Sequence, residues 1–321
     1  MRRALVTGGA GFIGLHLCRR LLADGFEVVV VDNMSRHGTD DALVALRPHL
    51  RIIDHDLTDG MPSSLPAQYD IVFHLAAWVG VDRVAREPFR VLRDNVAGTM
   101  ALVDWCTRRS VGALFLSSTS EVADGAAAAG LTGFPVPEDG AFVLRQPHEA
   151  RATYALSKLV SEALLLHHGG FPIRIGRYYN VYGPRMGLNH VIPQFVDRAL
   201  QGVDPFPIYG GTNTRAFCHV SDAVEATMRL AELPGAAPVT ANIGDDTTEL
   251  SMRDLAELVT RAVGTAPRLE VHAAPPGSPD RRVPDLTRLR ELTGYRPRTG
   301  LAAGIADTVR WYAERLVKVP R

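Results

Sequence analysis

The sequence predicts an α/β protein, with an open, doubly wound parallel sheet and a smaller α/β unit after it. Three observations carry this expectation. A short apolar strand, residues 4–7, runs through the glycine-rich turn Gly8 to Gly14 into an apolar helical run from Leu15 to Ala23. Apolar strands then alternate with helical segments through the first half of the chain, the pattern of a parallel sheet built from strand–helix units. One of those strands, residues 113–122, ends in consecutive hydroxyls followed by a carboxylate. In open α/β sheets, ligands bind at the C-terminal ends of the strands.

The chain has 321 residues, 46% of them hydrophobic. It is long enough for one large α/β unit or two domains. Lys plus Arg, 35, equals Asp plus Glu, 35, so the formal net charge is zero. Such a balance points to neither nucleic acid nor an anionic membrane as a partner. Cys18, Cys106 and Cys218 are scattered, with no CxxC pair and no histidine cluster beside them. They read as small buried hydrophobes of a reducing compartment, and no metal site or disulfide frame is expected. No run approaches transmembrane length and no signal-peptide pattern leads the chain, so a cytoplasmic location is expected.

The glycines of the first turn let the backbone bend tightly and let a pyrophosphate approach the positive end of the following helix. Their spacing is GxxGxxG. This variant resembles the short-chain dehydrogenase/reductase superfamily, and TGGAGFIG resembles its extended, nucleotide-sugar branch, the NAD-dependent epimerases and dehydratases. The resemblance implies a Rossmann-type fold with Gly8, Gly11, Phe12, Ile13 and Gly14 against the cofactor. The second strand, about Phe26 to Val31, ends at Asp32-Asn33. An acidic residue there bonds the adenosine ribose and repels a 2′-phosphate, which favours NAD over NADP, although Arg36 lies close by. A third strand near residues 51–53 leads to Asp56-Leu57, which match the family's Asp-Leu pair at the adenine. Strand 70–77 carries HLAA, which resembles the family's motif beside the cofactor and so implies Leu75, Ala76 and Ala77 there. Residues 79–84 resemble a segment lining the sugar pocket of related dehydratases and decarboxylases. Asn95, within a helix expected over 89–108, fits the asparagine that orders the family's active-site strand. A buried asparagine in a helix must find partners.

Strand 113–122 contains Ser117 on the expected cofactor side and ends at Thr119-Ser120-Glu121. Thr119 matches the family's catalytic Ser/Thr. Tyr154 and Lys158 lie four residues apart at the head of an apolar run to His168, so they share a helix face. A free tyrosine, with a pKa of ~10, is a poor base near neutrality, and an ammonium one turn away stabilises its phenolate. By itself the spacing also suits a solvated amphipathic face. In the family it is the catalytic pair, and both residues also touch the cofactor. Ser120-Glu121 resembles the Ser-Glu of UDP-glucuronate decarboxylases and GDP-mannose dehydratases more than the Asp-Glu of dTDP-glucose 4,6-dehydratases. Simple 4-epimerases usually lack an acid at this place. One departure stands out: where the family continues Glu-Val-Tyr-Gly, this chain reads Glu121-Val122-Ala123-Asp124-Gly125, with an Ala-rich loop expected after it.

The second half carries further resemblances. Residues 177–185, RYYNVYGPR, match R-x-x-N-V-Y-G-P-R, with Asn180 expected near the substrate diphosphate. Val191 lies at the start of a helix facing the nucleotide, and His190 reads as a loop or capping residue. Tyr209 and Arg215 match the YG…TR element, whose arginine grips the diphosphate; guanidinium forks suit phosphate oxygens. Ser221-Asp222 is expected to cap a helix to about Leu233. Arg282 matches the late R-x-P-D arginine and would meet either the diphosphate or a substrate carboxylate. The expected domains are an NAD-binding domain over 1–176, with returning segments near 212–245, and a nucleotide-sugar domain over 177–321.

The resemblance therefore implies NAD-dependent oxidation at C4 of a nucleotide sugar, with chemistry at C5 and C6 as well. Decarboxylation of UDP-glucuronate to UDP-4-keto-xylose or UDP-xylose is the leading expectation. A 4,6-dehydratase is the alternative, followed by a 4-epimerase and a non-catalytic dinucleotide sensor. A homodimer is also implied, through the helices near 89–108 and 154–168.

Overall fold

The computed structural model describes residues 1–36, 40–144 and 146–316. The chain forms two compact units. The first comprises residues 1–122, 144–177 and 224–241; the second comprises 123–143, 178–223 and 242–321.

The first unit is organised on a seven-stranded sheet. From edge to edge its strands are Val239–Ile243, Ile173–Tyr178, Leu114–Thr119, Ile71–His74, Arg3–Thr7, Glu27–Asp32 and Arg51–Asp54. The first strand, Arg3–Thr7, pairs in parallel with both Glu27–Asp32 and Ile71–His74, so the strand order reverses on either side of it. A crevice at such a reversal is where doubly wound sheets take their ligands. The central strands are buried on both faces, which is why they read as continuous apolar runs such as Val28 to Val31. One face packs Leu5, Val29, Val72, Leu114 and Ile175 against Leu102, Trp105 and Leu165 of the covering helices. Each such side chain contributes roughly 2 kcal/mol by leaving water.

Two long helices, Pro88–Thr107 and Ala150–Leu166, lie against each other. The second begins four residues before Tyr154 and stops two short of His168. The expectation of a helix starting at Tyr154 is corrected, because Ala150 to Thr153 are compatible with helix and extend it towards Glu149. Tyr154 therefore sits in the second turn.

In the second unit, Phe206–Tyr209 pairs in parallel with Leu269–His272, and Thr214–Ala216 lies between Glu249–Ser251 and Arg281–Arg282. Helix Met252–Val263 starts with a reciprocal capping box between Ser251 and Asp254. Near the end of the chain the sequence suits an amphipathic helix over about 302–317, and the structure forms it as Leu301–Leu316; Val317 lies outside the described residues. Two local expectations are corrected. The Ala-rich stretch is not loop throughout, because Asp124–Ala128 forms a short helix. Nor do Ser221-Asp222 cap the helix Val220–Ala231, which already includes them. The Asp222 carboxylate accepts the backbone N–H groups of Arg298 and Thr299 instead, and Ser221 Oγ bonds Thr299 Oγ1. Among the described residues no helix is long and apolar enough to cross a membrane.

Candidate active site

The glycine turn is shaped by contacts that exclude a side chain. Gly8 has φ +73°, and a Cβ there would lie 2.6 Å from the Ala76 nitrogen. At Gly14 a Cβ would lie 2.1 Å from the Gly8 carbonyl oxygen. These contacts bring Leu75 and Ala76 against the turn, and Leu75 N–H donates to Thr7 O at 3.0 Å. Helix Phe12–Ala23 follows Gly11, which offers no side-chain cap, and the first N–H groups of such a helix end suit an anion.

Asp32 stands at the end of the second strand. Its Oδ2 accepts Ala10 N–H at 3.0 Å and its Oδ1 accepts Met34 N–H at 2.9 Å, which holds the carboxylate at the lip of the turn. Asn33 Nδ2 donates to Asp56 Oδ2 at 2.9 Å. Asp56 Oδ1 accepts both the backbone N–H and the hydroxyl of Thr58, capping the turn Leu57–Asp59. Burial pushes the Asp56 carboxyl up, but the Thr58 and Asn33 hydrogen bonds outweigh it and hold the group below the usual range. Asp32 is thus held by the glycine turn and by Met34, while Asn33 and Asp56 are bonded to each other, and carboxylates fixed at strand ends in this way suit ribose hydroxyls. The helix end without a side-chain cap and the glycines of the turn fit a dinucleotide pyrophosphate.

The same unit assembles the expected proton-transfer groups. Strand Leu114–Thr119 runs into a tight turn, Ser120–Ala123. Thr119 is buried, and its Oγ1 accepts Glu121 N–H at 3.3 Å. Glu121 is partly exposed and lies 3.8 Å from Arg151, a neighbour the motif reading did not foresee. On helix Ala150–Leu166, Lys158 is buried and its Nζ donates to Ser117 O at 2.8 Å. Burial pulls the Lys158 ammonium down to about 8, against the opposing pull of Glu162. Ser157 Oγ donates to Tyr154 O at 2.7 Å and accepts Asn95 Nδ2 at 3.0 Å.

Asn95 also brackets Trp78, accepting its N–H at 2.6 Å and donating to its carbonyl at 3.2 Å. Its bonds therefore run to the helix and to the segment after strand Ile71–His74. They tie Asn95 to the Tyr154/Lys158 helix through Ser157 and to Trp78, and an ordering role at strand Leu114–Thr119 itself stays an expectation. The strand is anchored from another side. Glu162 accepts Ser118 Oγ at 2.5 Å and receives two bonds from Arg177, at 3.0 and 2.7 Å. His74 is buried between Thr7 and Thr99, with its ring nitrogens 2.8 and 3.1 Å from their hydroxyls. Arg177 opens the RYYNVYGPR motif, but its pairing with Glu162 and Ser118 escaped the motif reading, since nothing local in the sequence pairs a helix carboxylate with a later strand.

The second unit holds the remaining candidates. Asn180 adopts φ +38°, and its amide donates to Ala216 O at 2.9 Å. Val191 is the first residue of helix Val191–Leu200, as expected. Tyr209 is half exposed and stacks on His272 at 5.2 Å. Arg215 is buried and donates to Thr214 O, Ser278 Oγ and Pro279 O. Arg282 is paired with Asp124, its Nε 3.2 Å from Oδ1 and a second nitrogen on Oδ2.

The pattern of the NAD dependent epimerase/dehydratase family matches residues 4–244. The chain belongs to this family. The epimerase/dehydratase match spans the glycine turn, Tyr154 and Lys158, and ends at Gly244. Similarity to individual members extends further. The chain is 33% identical to the UDP-N-acetyl-alpha-D-glucosaminuronate decarboxylase of Bacillus cytotoxicus, over 98% of each chain. It is likewise 33% identical to UDP-glucuronic acid decarboxylase 4 of Arabidopsis thaliana, over 98% of this chain and 69% of that one. Among solved structures it resembles the UDP-glucuronic acid 4-epimerase of Bacillus cereus in complex with UDP-glucuronic acid and NAD. That likeness has a TM-score of 0.86 and 26% identity, over 97% of this chain and 99% of the other.

Proposed function

We propose that the protein decarboxylates UDP-glucuronate by first oxidising its C4 alcohol with NAD+ as the hydride acceptor, giving UDP-4-keto-xylose or, after re-reduction at C4, UDP-xylose. One observation carries this reading: the Thr119-Ser120-Glu121 turn and the Tyr154/Lys158 helix belong to one anchored unit, in a chain whose relatives include decarboxylases of C6-carboxylated sugar nucleotides.

NAD+, when bound, supplies the acceptor for the hydrogen and two electrons leaving C4. Gly8, Gly11, Phe12, Ile13 and Gly14 would hold its pyrophosphate, with Asp32, Asn33, Asp56 and Leu57 at its adenosine end. Leu75, Ala76, Ala77, Asn95 and Ser117 would flank the rest. Tyr154 takes the C4 hydroxyl proton, assisted by the Lys158 ammonium and by a hydrogen bond from Thr119 to the same oxygen. The new ketone is β to the C6 carboxylate, so the C5–C6 bond breaks and its electron pair passes into a C4–C5 enolate as carbon dioxide leaves. Glu121, with Ser120, delivers the proton that C5 then needs, directly or through water. Asn180, Val191, Tyr209 and Arg215 would hold the UDP moiety, and Arg282 the carboxylate. We further propose a cytoplasmic homodimer, in keeping with three buried free cysteines and with the exposed Phe89 and Met100 on helix Pro88–Thr107.

Mass spectrometry of the protein incubated with UDP-glucuronate and NAD+ tests the reaction. A product lighter by one carbon dioxide is expected, and unchanged UDP-glucuronate would sink the proposal. The likeness to a UDP-glucuronic acid 4-epimerase keeps a second reading in view. Epimerisation would conserve mass and invert C4. A dehydratase would instead remove water from a neutral NDP-hexose.

A further inference from the structure

Arg282 presents the side-on edge of its guanidinium, Nε and one terminal nitrogen, to the carboxylate of Asp124. Both residues belong to the second unit. Asp124 stands where the family sequence Glu-Val-Tyr-Gly has its glycine. It opens the short helix Asp124–Ala128, and the next residue fixes that helix in place. A Cβ at Gly125 would lie 1.8 Å from the Val143 carbonyl oxygen, so the two backbones meet without room for a side chain. Arg282 is anchored as well, since strand Arg281–Arg282 pairs with Thr214 and Arg215. The side chains are only 11% and 26% exposed, so solvent screens the pair less than it would a surface ion pair.

A planar carboxylate held on the side of the Arg282 fork has the geometry that a sugar carboxylate would adopt on the same group. We infer that Asp124 is a built-in competitor for Arg282, a protein carboxylate holding the place of the substrate's own. The sugar acid must displace Asp124 or share the fork with it, so Asp124 sets how strongly the site prefers a carboxylated sugar over a neutral one. Apparent affinity falls by the fraction of molecules whose binding group is available, and a part-buried ion pair is strong enough to hold back about four-fifths of them. A ligand without the carboxylate meets no such competition.

This inference rests on the decarboxylase reading, and the test separates the two. KM for UDP-glucuronate and the inhibition constant of UDP-glucose are measured in one carbon dioxide-release assay on NAD-loaded protein. Wild type is compared with Asp124→Asn and with Asp124→Glu, which keeps the charge. We expect Asp124→Asn to lower KM for UDP-glucuronate about fivefold while UDP-glucose inhibition moves less than about twofold, and Asp124→Glu to stay near wild type. Asp124→Ser serves the same comparison if the Asn variant does not accumulate folded. An unchanged or higher KM would overturn the inference. So would an equal gain for both ligands, which would assign Arg282 to the diphosphate. A wild-type protein that releases no carbon dioxide overturns the decarboxylase reading and the inference with it. An active wild type with unmoved variants overturns the inference alone.

Discussion

Lys158 is one helical turn from Tyr154, but its chemistry is decided by burial. Its ammonium is held by the Ser117 carbonyl, and its proton is released near pH 8 in place of the ordinary 10.5. A lysine with a depressed folded pKa is charged in both states below that value, and its burial then costs stability. Between about pH 8 and 10.5 the unfolded chain keeps a proton that the folded chain has lost, so stability rises with pH across this window. In thermal melts, wild type should therefore gain on Lys158→Met as pH goes from 7.5 to 10; a constant gap would show that the lysine is not shifted. Tyr154 carries the sharper test. Tyr154→Phe removes only the hydroxyl, and we expect kcat to fall on the order of a thousandfold with the melting temperature held. Wild-type turnover in that variant would refute the assignment of the base.

At the scale of elements, two contacts position the chemistry. The glycine turn has no room at Gly14, where a methyl would sit 2.1 Å from a carbonyl oxygen of the same turn. Gly14→Ala must open the turn or shift the helix, and either displaces the N–H groups that would receive a pyrophosphate. Calorimetric titration should show NAD affinity reduced by at least about tenfold, the cost of losing one or two charge-assisted bonds; unaltered affinity would show that the turn does not hold the cofactor. The second contact joins helix Ala150–Leu166 to the strands beside it through Glu162, Arg177 and Ser118. Both charged side chains are nearly inaccessible. Glu162→Gln leaves a buried guanidinium without its countercharge, which costs on the order of 3–5 kcal/mol. A denaturant melt would report that loss directly, and a change below about 1 kcal/mol would mean that the pair is not structural.

For the whole molecule, helices Pro88–Thr107 and Ala150–Leu166 cover one face of the sheet while leaving Phe89, Met100 and Leu166 at least two-fifths exposed. We take these exposed apolar side chains as the face of the proposed homodimer. Light scattering at micromolar concentration should give twice the chain mass of 34.9 kDa. A monomer would refute the homodimer, and a dimer retained by Phe89→Glu would place the contact elsewhere.

How much of this was readable in the chain itself depended on the range of the interaction. The glycine spacing, the acid at Asp32 and the apolar strand runs are local patterns, and they specified the Rossmann-type sheet because backbone geometry and burial on both faces act residue by residue. The Tyr154/Lys158 spacing was equally legible, since four residues make about one turn wherever the helix starts. Helix starts were less so: the turn before Tyr154 carries no cap, and the Ser-Asp of residues 221 and 222 resembled a cap whose carboxylate is spent on Arg298 and Thr299 instead. What the tertiary structure alone decided were the partners. Asn95 with Trp78 and Ser157, Glu162 with Arg177, and Asp124 with Arg282 are bonds across 15 to 158 residues of chain. A buried or half-buried charge must find a countercharge or donor, but no local rule says which, because only the folded packing brings the two into reach.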